Sequence, residues 1–305
     1  MIRVSVIISI CNRTKLFERG LFTLHRQTLP KKEYEVIVVC DTRSTEDVHA
    51  VLYPYITQMQ MQWALIDNSQ WPGPFKIESH TPALSNNIGF RLAKGEVVVI
   101  SQPEILHEPT NLQYLYETAM QNVTVYGNIR HSGPQFPESL DIQERAAKQK
   151  NEIPQWRQES WQEWMTYRDT DMRTTHDLLH GMYWYVAGVR KYFVELMRGV
   201  DEEYLQGVYG EDDNWKYRLE VAGAKPIIDW RVLGIHQDHF NETTAWQNRT
   251  SDDWNRRAQI NRERLAWWNQ NKTLLANEKW QWGDFSAIVD HRVYGIDGFA
   301  ENKIA

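Results

Sequence analysis

The sequence predicts an α/β protein built on an open, mostly parallel sheet with helices on both faces. Three observations predict it. Short, continuous runs rich in Val and Ile recur through the first hundred residues, the pattern of strands buried on both faces. Amphipathic stretches of helix length lie between them, ended by Pro or Gly. Strands and helices alternating in this order give parallel sheets joined by crossovers.

Val4 to Ile10 is the first strand. Cys11-Asn12-Arg13-Thr14 is a turn able to cap the following helix, expected from Lys15 to Gln27 with Phe17, Leu21 and Leu24 on one stripe; Leu29-Pro30 ends it. Tyr34 to Cys40 is the second strand, running into Asp41-Thr42-Arg43. A weaker helix is expected over Thr45 to Tyr53 and a third strand over Gln62 to Ile66. Trp71-Pro72-Gly73-Pro74 is a loop. Pro82 to Lys94 reads as a helix with Leu84, Ile88 and Leu92 on one face, ended by Gly95. Glu96 to Ile100 is the fourth strand, followed by Ser101-Gln102-Pro103-Glu104. Asn111 to Gln121 is expected to be helical and Val123 to Ile129 a strand. Residues 132–175 read as an excursion of helix and loop over the site. Thr250 to Asn271 is a strong helix, with Leu265 and Trp268 toward the core. The tail from Trp280 carries no readable pattern.

The chain has 305 residues, enough for one large domain or one domain with an extension. A net charge of −6 gives no overall attraction to nucleic acid or anionic membrane. No apolar run is long enough to span a bilayer. Cys11 and Cys40 each end an apolar run and are expected to be reduced and buried. A cytoplasmic protein is the expectation from these features. Fourteen tryptophans exceed what a core alone needs, and exposed ones suit a sugar-binding surface or a protein interface.

In open parallel sheets ligands bind outside the carboxyl ends of the strands. Here those ends are Ser9 to Arg13, Asp41 to Arg43, and Gln102 to Glu104. A second concentration of chemistry lies between Gly181 and Phe240. It opens on an aromatic run containing Trp184 and Tyr185, passes through Tyr209-Gly210-Glu211-Asp212-Asp213, and closes on His236-Gln237-Asp238-His239. Three adjacent acids before a helix suit the positive end of its dipole, and that is their plain alternative to a catalytic role. Asp41 has the alternative of a turn former, Glu104 that of a solvated turn acid, and His236 and His239 that of hydrogen-bonded core residues, His239 especially.

Val6 to Arg13, Val38-Val39-Cys40-Asp41, Asn86-Asn87-Ile88-Gly89 with Ala93 to Glu96, and the acidic centre together resemble the family 2 glycosyltransferases, in the right order over roughly residues 1 to 240. The resemblance implies a GT-A fold and an inverting transfer of a sugar from a nucleotide-sugar, perhaps a UDP-sugar, to a hydroxyl acceptor. Position by position it implies donor contacts from Ser9, Cys11, Arg13, Asp41, Asn87 and Gln102. It makes Asp212 the catalytic base, with Glu211 and Trp184 beside it or at the acceptor. The family's Asp-x-Asp motif holds a divalent metal; here it reads Gln102-Pro103-Glu104, so one carboxylate survives. Glu104 and His236 would be the metal ligands, with Mn²⁺ favoured over Mg²⁺ by the nitrogen ligand. If the metal is not used, cations such as Arg13, Arg43 or Lys94 would take its place.

These features divide the chain into a catalytic domain, residues 1–240, and a helical extension, residues 241–305. The acceptor expected from the resemblance is a glycan. A modified nucleic-acid base is a less favoured acceptor, raised by Arg256, Arg257, Arg262 and Arg264 among Trp254, Trp267 and Trp268, whose plain alternative is a packed helix with a solvated basic face. A non-catalytic sugar- or nucleotide-binding relative with a decayed metal motif is the alternative to the enzyme.

Overall fold

A computed structural model describes residues 1–73, 82–133, 135–163, 173–174, 185–239, 252–277, 281–296 and 298–300. Its centre is a sheet of eleven strands. In chain order these are β1 (Val4–Ile10), β2 (Tyr34–Asp41), β3 (Gln60–Ile66), β4 (Val97–Ser101), β5 (Ile105–His107), β6 (Val123–His131), β7 (Arg173–Thr174), β8 (Val186–Arg190), β9 (Lys225–His236), β10 (Ile288–Gly295) and β11 (Gly298–Ala300). The spatial order is β11-β10-β3-β2-β1-β4-β8-β6-β9-β5, with β7 beside β6.

The block β3-β2-β1-β4 is parallel. Its strands are almost wholly buried, as their unbroken apolar runs require. Helix α1 (Thr14–His25) packs Phe17, Leu21 and Leu24 on one face of the sheet, and helix α2 (Pro82–Leu92) packs Leu84, Ile88 and Phe90 on the other. Strand β8 enters antiparallel to β4 and β6, so the sheet is mixed on that side. The segment expected to be a weak helix is only a single 3-10 turn, His49–Leu52.

Helix α3 (Asn111–Ala119) precedes the excursion, whose described part holds α4 (Gln135–Lys150), α5 (Gln155–Gln158) and the short strand β7, paired with β6. Phe136, Leu140, Trp156 and Trp161 form a small core of their own with Leu106 and Ile235. It packs beside β5 and the end of β9. Helix α6 (Lys191–Met197) leads to α7 (Glu211–Val221), and the strong helix near the C-terminus is α8 (Asp252–Asn271).

The region after residue 240 is not helical throughout. β10 pairs antiparallel with β3 and extends the sheet. Its centre, Asp290-His291-Arg292, is polar, which hides the strand from a hydrophobic-period reading. No helix among the described residues is long and apolar enough to cross a membrane.

Candidate active site at the strand ends

Register builds the site. β5 pairs with the last turn of β9 so that Ile105 faces His236, and β6 pairs with β9 so that His131 faces His236. β4 pairs with β8 so that Ser101 faces Val186, and the Gln102 amide donates to the Tyr185 carbonyl at 3.2 Å. Three separate stretches therefore meet at one place. A cavity of about 340 Å³ opens there, lined by Ser9, Cys11, Arg13, Gln102 and Glu104 with His131, Tyr185, His236 and His239. That volume lies within the range of small-molecule sites.

Arg13 reaches the cavity through an unusual turn. Asn12 and Arg13 both adopt left-handed backbone, φ 65° and 64°, a conformation that costs non-glycine residues free energy and clusters at functional sites. The Asn12 side chain fixes the turn by accepting from the Thr45 amide at 2.7 Å and the Ser44 hydroxyl at 3.0 Å. The α1 amino terminus is capped by Glu46 of the next loop, which accepts from the Thr14 amide at 2.7 Å, rather than by the Cys11 to Thr14 turn itself.

Glu104 is the electrostatic centre, with only 2% of its side chain exposed. Its Oε1 lies 2.9 Å from Arg13 Nη1, 3.3 Å from His236 Nε2 and 2.9 Å from His239 Nε2. Burial alone would raise its carboxyl, but Arg13 first and then the two histidines outweigh it and hold it well below the usual range. Burial, then His236 and His239, lower the neighbouring His131 to about 4.

One ligand atom from each of Glu104, His236 and His239 falls within 4.8 Å of the others. Among the described residues, Glu104 Oε2 and His236 Nδ1 are buried without a hydrogen-bond partner, and such groups call for an explanation. One carboxylate and two imidazoles suit a divalent ion of intermediate softness such as Mn²⁺, so the residues present fit a metal.

Two expected donor residues stand elsewhere. Asp41 is fully buried and does not line the cavity. Its oxygens accept from the Arg43 amide and Nε, both at 2.9 Å, from Arg43 Nη2, and from Asn68 Nδ2 at 2.5 Å. Four donors fill the acceptor sites of one carboxylate. Asn87 is also fully buried. It donates to the Val200 carbonyl and Glu202 Oε1, both at 2.8 Å, and accepts from the Val200 amide at 2.6 Å, so its amide ties α2 to the following layer and does not reach the cavity. Trp184 lies outside the described residues. Cys11 is half-buried on the cavity wall, while Cys40 is buried as expected and both are free thiols.

Glu211, Asp212 and Asp213 form the first turn of α7, entered through Tyr209 at φ 68° and Gly210 at φ 86°. Asp212 is not among the residues lining the cavity. Burial, then the Asp213 charge, raises its carboxyl; burial, then Asp212, raises Glu211. Among the described residues, Glu211 Oε2 is buried without a hydrogen-bond partner.

Reading the sequence weighed His239 as a hydrogen-bonded core residue and Tyr185 as an acceptor-site or packing residue, and it missed His131, yet all three line the cavity. The His-x-x-His spacing of 236 and 239 is a visible signal for the first. Nothing local marks His131, which is brought in only by the β6–β9 register.

A mixed sheet whose parallel block is covered by α1 and α2, with this crevice at its strand ends, defines a GT-A fold. The chain belongs to glycosyl transferase family 2, whose family model matches residues 5–196. It is 25% identical over 248 residues to a validoxylamine A glucosyltransferase of Streptomyces hygroscopicus subsp. jinggangensis (strain 5008), covering 77% of this chain and 56% of that one. The chain thus spans about half the length of the curated relatives it matches. Among solved structures, S. aureus TarS 1-349 in complex with UDP superposes with TM-score 0.54 at 14% identity, covering 88% of this chain and 72% of that one. The mannosyltransferase PcManGT from Pyrobaculum calidifontis, in complex with GDP-Man and Mn²⁺, gives 0.51 at 18% identity, covering 82% and 61%.

Proposed function

We propose that the protein is an inverting glycosyltransferase that moves a sugar from a nucleotide-sugar to a hydroxyl of a glycan or related polyol. The observation that carries this reading is the convergence of Glu104, His236, His239 and Arg13 in the crevice at the strand ends. Ser9, Cys11 and Gln102 line the same cavity and bind the donor. The leaving nucleotide gains negative charge as the glycosidic bond breaks, and Arg13 faces that charge. Glu104, His236 and His239 would hold a divalent ion, which supplies Lewis-acid neutralisation of the diphosphate when bound. Asp212 takes the acceptor hydroxyl proton as the oxygen attacks the anomeric carbon from the face opposite the nucleotide, which inverts that centre. Its raised carboxyl suits a base.

The relative's name, a glucosyltransferase, supports a hexose donor. In α8, Arg264 Nη2 lies 2.9 Å from Asp201 and Arg257 Nη2 donates to the Gly207 carbonyl at 3.2 Å. Half of the basic set is thus turned into the fold, which supports a glycan over a nucleic-acid acceptor. The free state of both cysteines fits a cytoplasmic setting.

The test is nucleotide release from a panel of UDP- and GDP-sugars, with Mn²⁺, Mg²⁺ or chelator. Slow release from one donor, lost with chelator, is expected. Release that ignores chelator moves the leaving-group role to Arg13. No turnover and no binding of any donor leaves the non-catalytic reading.

A further inference from the structure

Glu104 and the two histidines come from different segments, and one buried side chain joins them. Gln237 lies directly after His236, two residues before His239, and is fully buried. The Glu104 carbonyl accepts both from the Gln237 backbone amide, at 3.2 Å, and from its Nε2, at 3.0 Å. The same Nε2 donates to the Leu16 carbonyl of α1 at 3.1 Å. Gln237 thus clamps the backbone that carries Glu104 against the backbone that carries both histidines.

Gln237 is itself held. Its Oε1 accepts from Arg19 Nη1 at 3.4 Å. Arg19 is 1% exposed and pairs with Glu144 at 2.8 and 2.9 Å and with Asp141. Both acids stand on α4, away from the strand ends, so a continuous set of polar contacts runs from α4 through α1 to the Glu104 backbone. Packing reinforces it. A Cβ on Gly20 would sit 2.6 Å from the Pro103 carbonyl oxygen and 2.8 Å from that of Ile105, so α1 lies directly against the strap on either side of Glu104.

We propose that Gln237, oriented by Arg19, is the positioning residue that sets the Glu104–His236–His239 geometry, and that α4 acts on the site through this pair. The inference rests on the reading of that cluster as a divalent-ion site. Partners of this kind orient metal ligands, and their loss weakens metal affinity by about 10–100-fold.

The experiment measures Mn²⁺ binding to the whole protein by electron paramagnetic resonance, and nucleotide binding without metal by calorimetry, for the wild type, Gln237→Met and Gln237→Glu. Gln237→Met keeps the volume and the backbone bond to Glu104 and loses every side-chain polar contact. Gln237→Glu keeps the acceptor facing Arg19 and loses the side-chain donor to Glu104, and it serves if the first variant does not fold. Either folded variant should bind Mn²⁺ about 10–100-fold more weakly with an altered spectrum, and metal-free nucleotide binding within about two-fold of wild type. Arg19→Lys should keep part of the affinity that Arg19→Met loses. Wild-type Mn²⁺ binding that persists unchanged in the folded variants overturns the inference alone. Absence of Mn²⁺ binding in the wild type overturns the metal reading and the inference with it.

Discussion

Arg13 Nη1 lies 2.9 Å from Glu104 Oε1, and the same nitrogen lies 3.4 Å from His239 Nε2. A guanidinium and a divalent ion would therefore share one carboxylate. With Gln102 standing where the resemblance expects the first acid of Asp-x-Asp, the remaining carboxylate, Glu104, has an internal cation beside it. The pair is one-sidedly buried: Glu104 is 2% exposed and Arg13 27%.

Removing Arg13 takes the guanidinium partner from the buried Glu104 carboxylate and leaves it to His236 and His239. Arg13→Met should lower stability by about 3 kcal/mol, in the range for breaking one side of a buried pair. Mn²⁺ should restore more stability to the variant than it adds to the wild type, because the Glu104 carboxylate no longer shares its charge with the guanidinium. Urea unfolding with and without Mn²⁺ reads both effects. Equal Mn²⁺ stabilisation of the two proteins would show that the guanidinium and the ion do not compete.

Asp212→Asn should reduce transfer by about 10²–10⁴-fold, the usual contribution of a general base, with nucleotide binding little changed. Single-turnover assays beside calorimetric titration separate these. A variant that loses nucleotide binding instead assigns Asp212 to the donor.

The wild-type pH profile follows from the same group. Asp212 must be ionised to accept a proton, and burial with Asp213 raises its carboxyl above the usual range. kcat/KM should therefore fall as pH drops through that raised value, at higher pH than an ordinary aspartate would give. A flat profile down to the usual aspartate range contradicts the assignment.

Glu211 offers a stability test of the opposite sign to most acids. Its carboxyl is raised by burial and then by Asp212, so the folded state holds its proton more tightly than the unfolded state. The resulting stability is present below the ordinary glutamate value and is lost as pH rises through the raised one. Glu211→Gln keeps a neutral group at every pH, so its stability relative to wild type should grow as pH rises from about 5 to about 9. Thermal melts across that span check the slope.

The parallel half of the fold is legible because burial on both faces forces continuous apolar runs, as in Val4–Ile10 and Tyr34–Asp41. The other half is not. β9 carries a register shift opposite Gly127 and Asn128, and Asp229-Trp230-Arg231 there breaks any alternation. β10 shows a polar centre because one of its neighbours is only the short β11. At the site, Glu104, His236 and Arg13, named from the motif resemblance, sit together in the cavity. Asn87 does not, since its motif position says nothing about which side of α2 the amide faces. His131 is invisible locally because its place depends on a partner strand about a hundred residues on.

Glu202 explains Asn87 and gives the last prediction. This carboxylate is fully buried. It accepts from Asn87 Nδ2 at 2.8 Å, Trp71 Nε1 at 3.0 Å and the Gly283 amide at 2.6 Å, while its own amide donates to Asn277 Oδ1 at 2.9 Å. One residue thus ties α2, the Trp71 loop and the chain before β10 to the layer that leads into α7. Glu202→Ala strands three buried donors and should cost about 3 kcal/mol or more. Asn87→Ala removes one bond to that carboxylate and two to Val200, and should cost less. In the folded fraction of Asn87→Ala the donor KM should stay close to wild type, because the amide is spent within the fold. Denaturant unfolding and donor kinetics on the same sample decide between the two roles: stable protein with a raised KM would return Asn87 to the donor site.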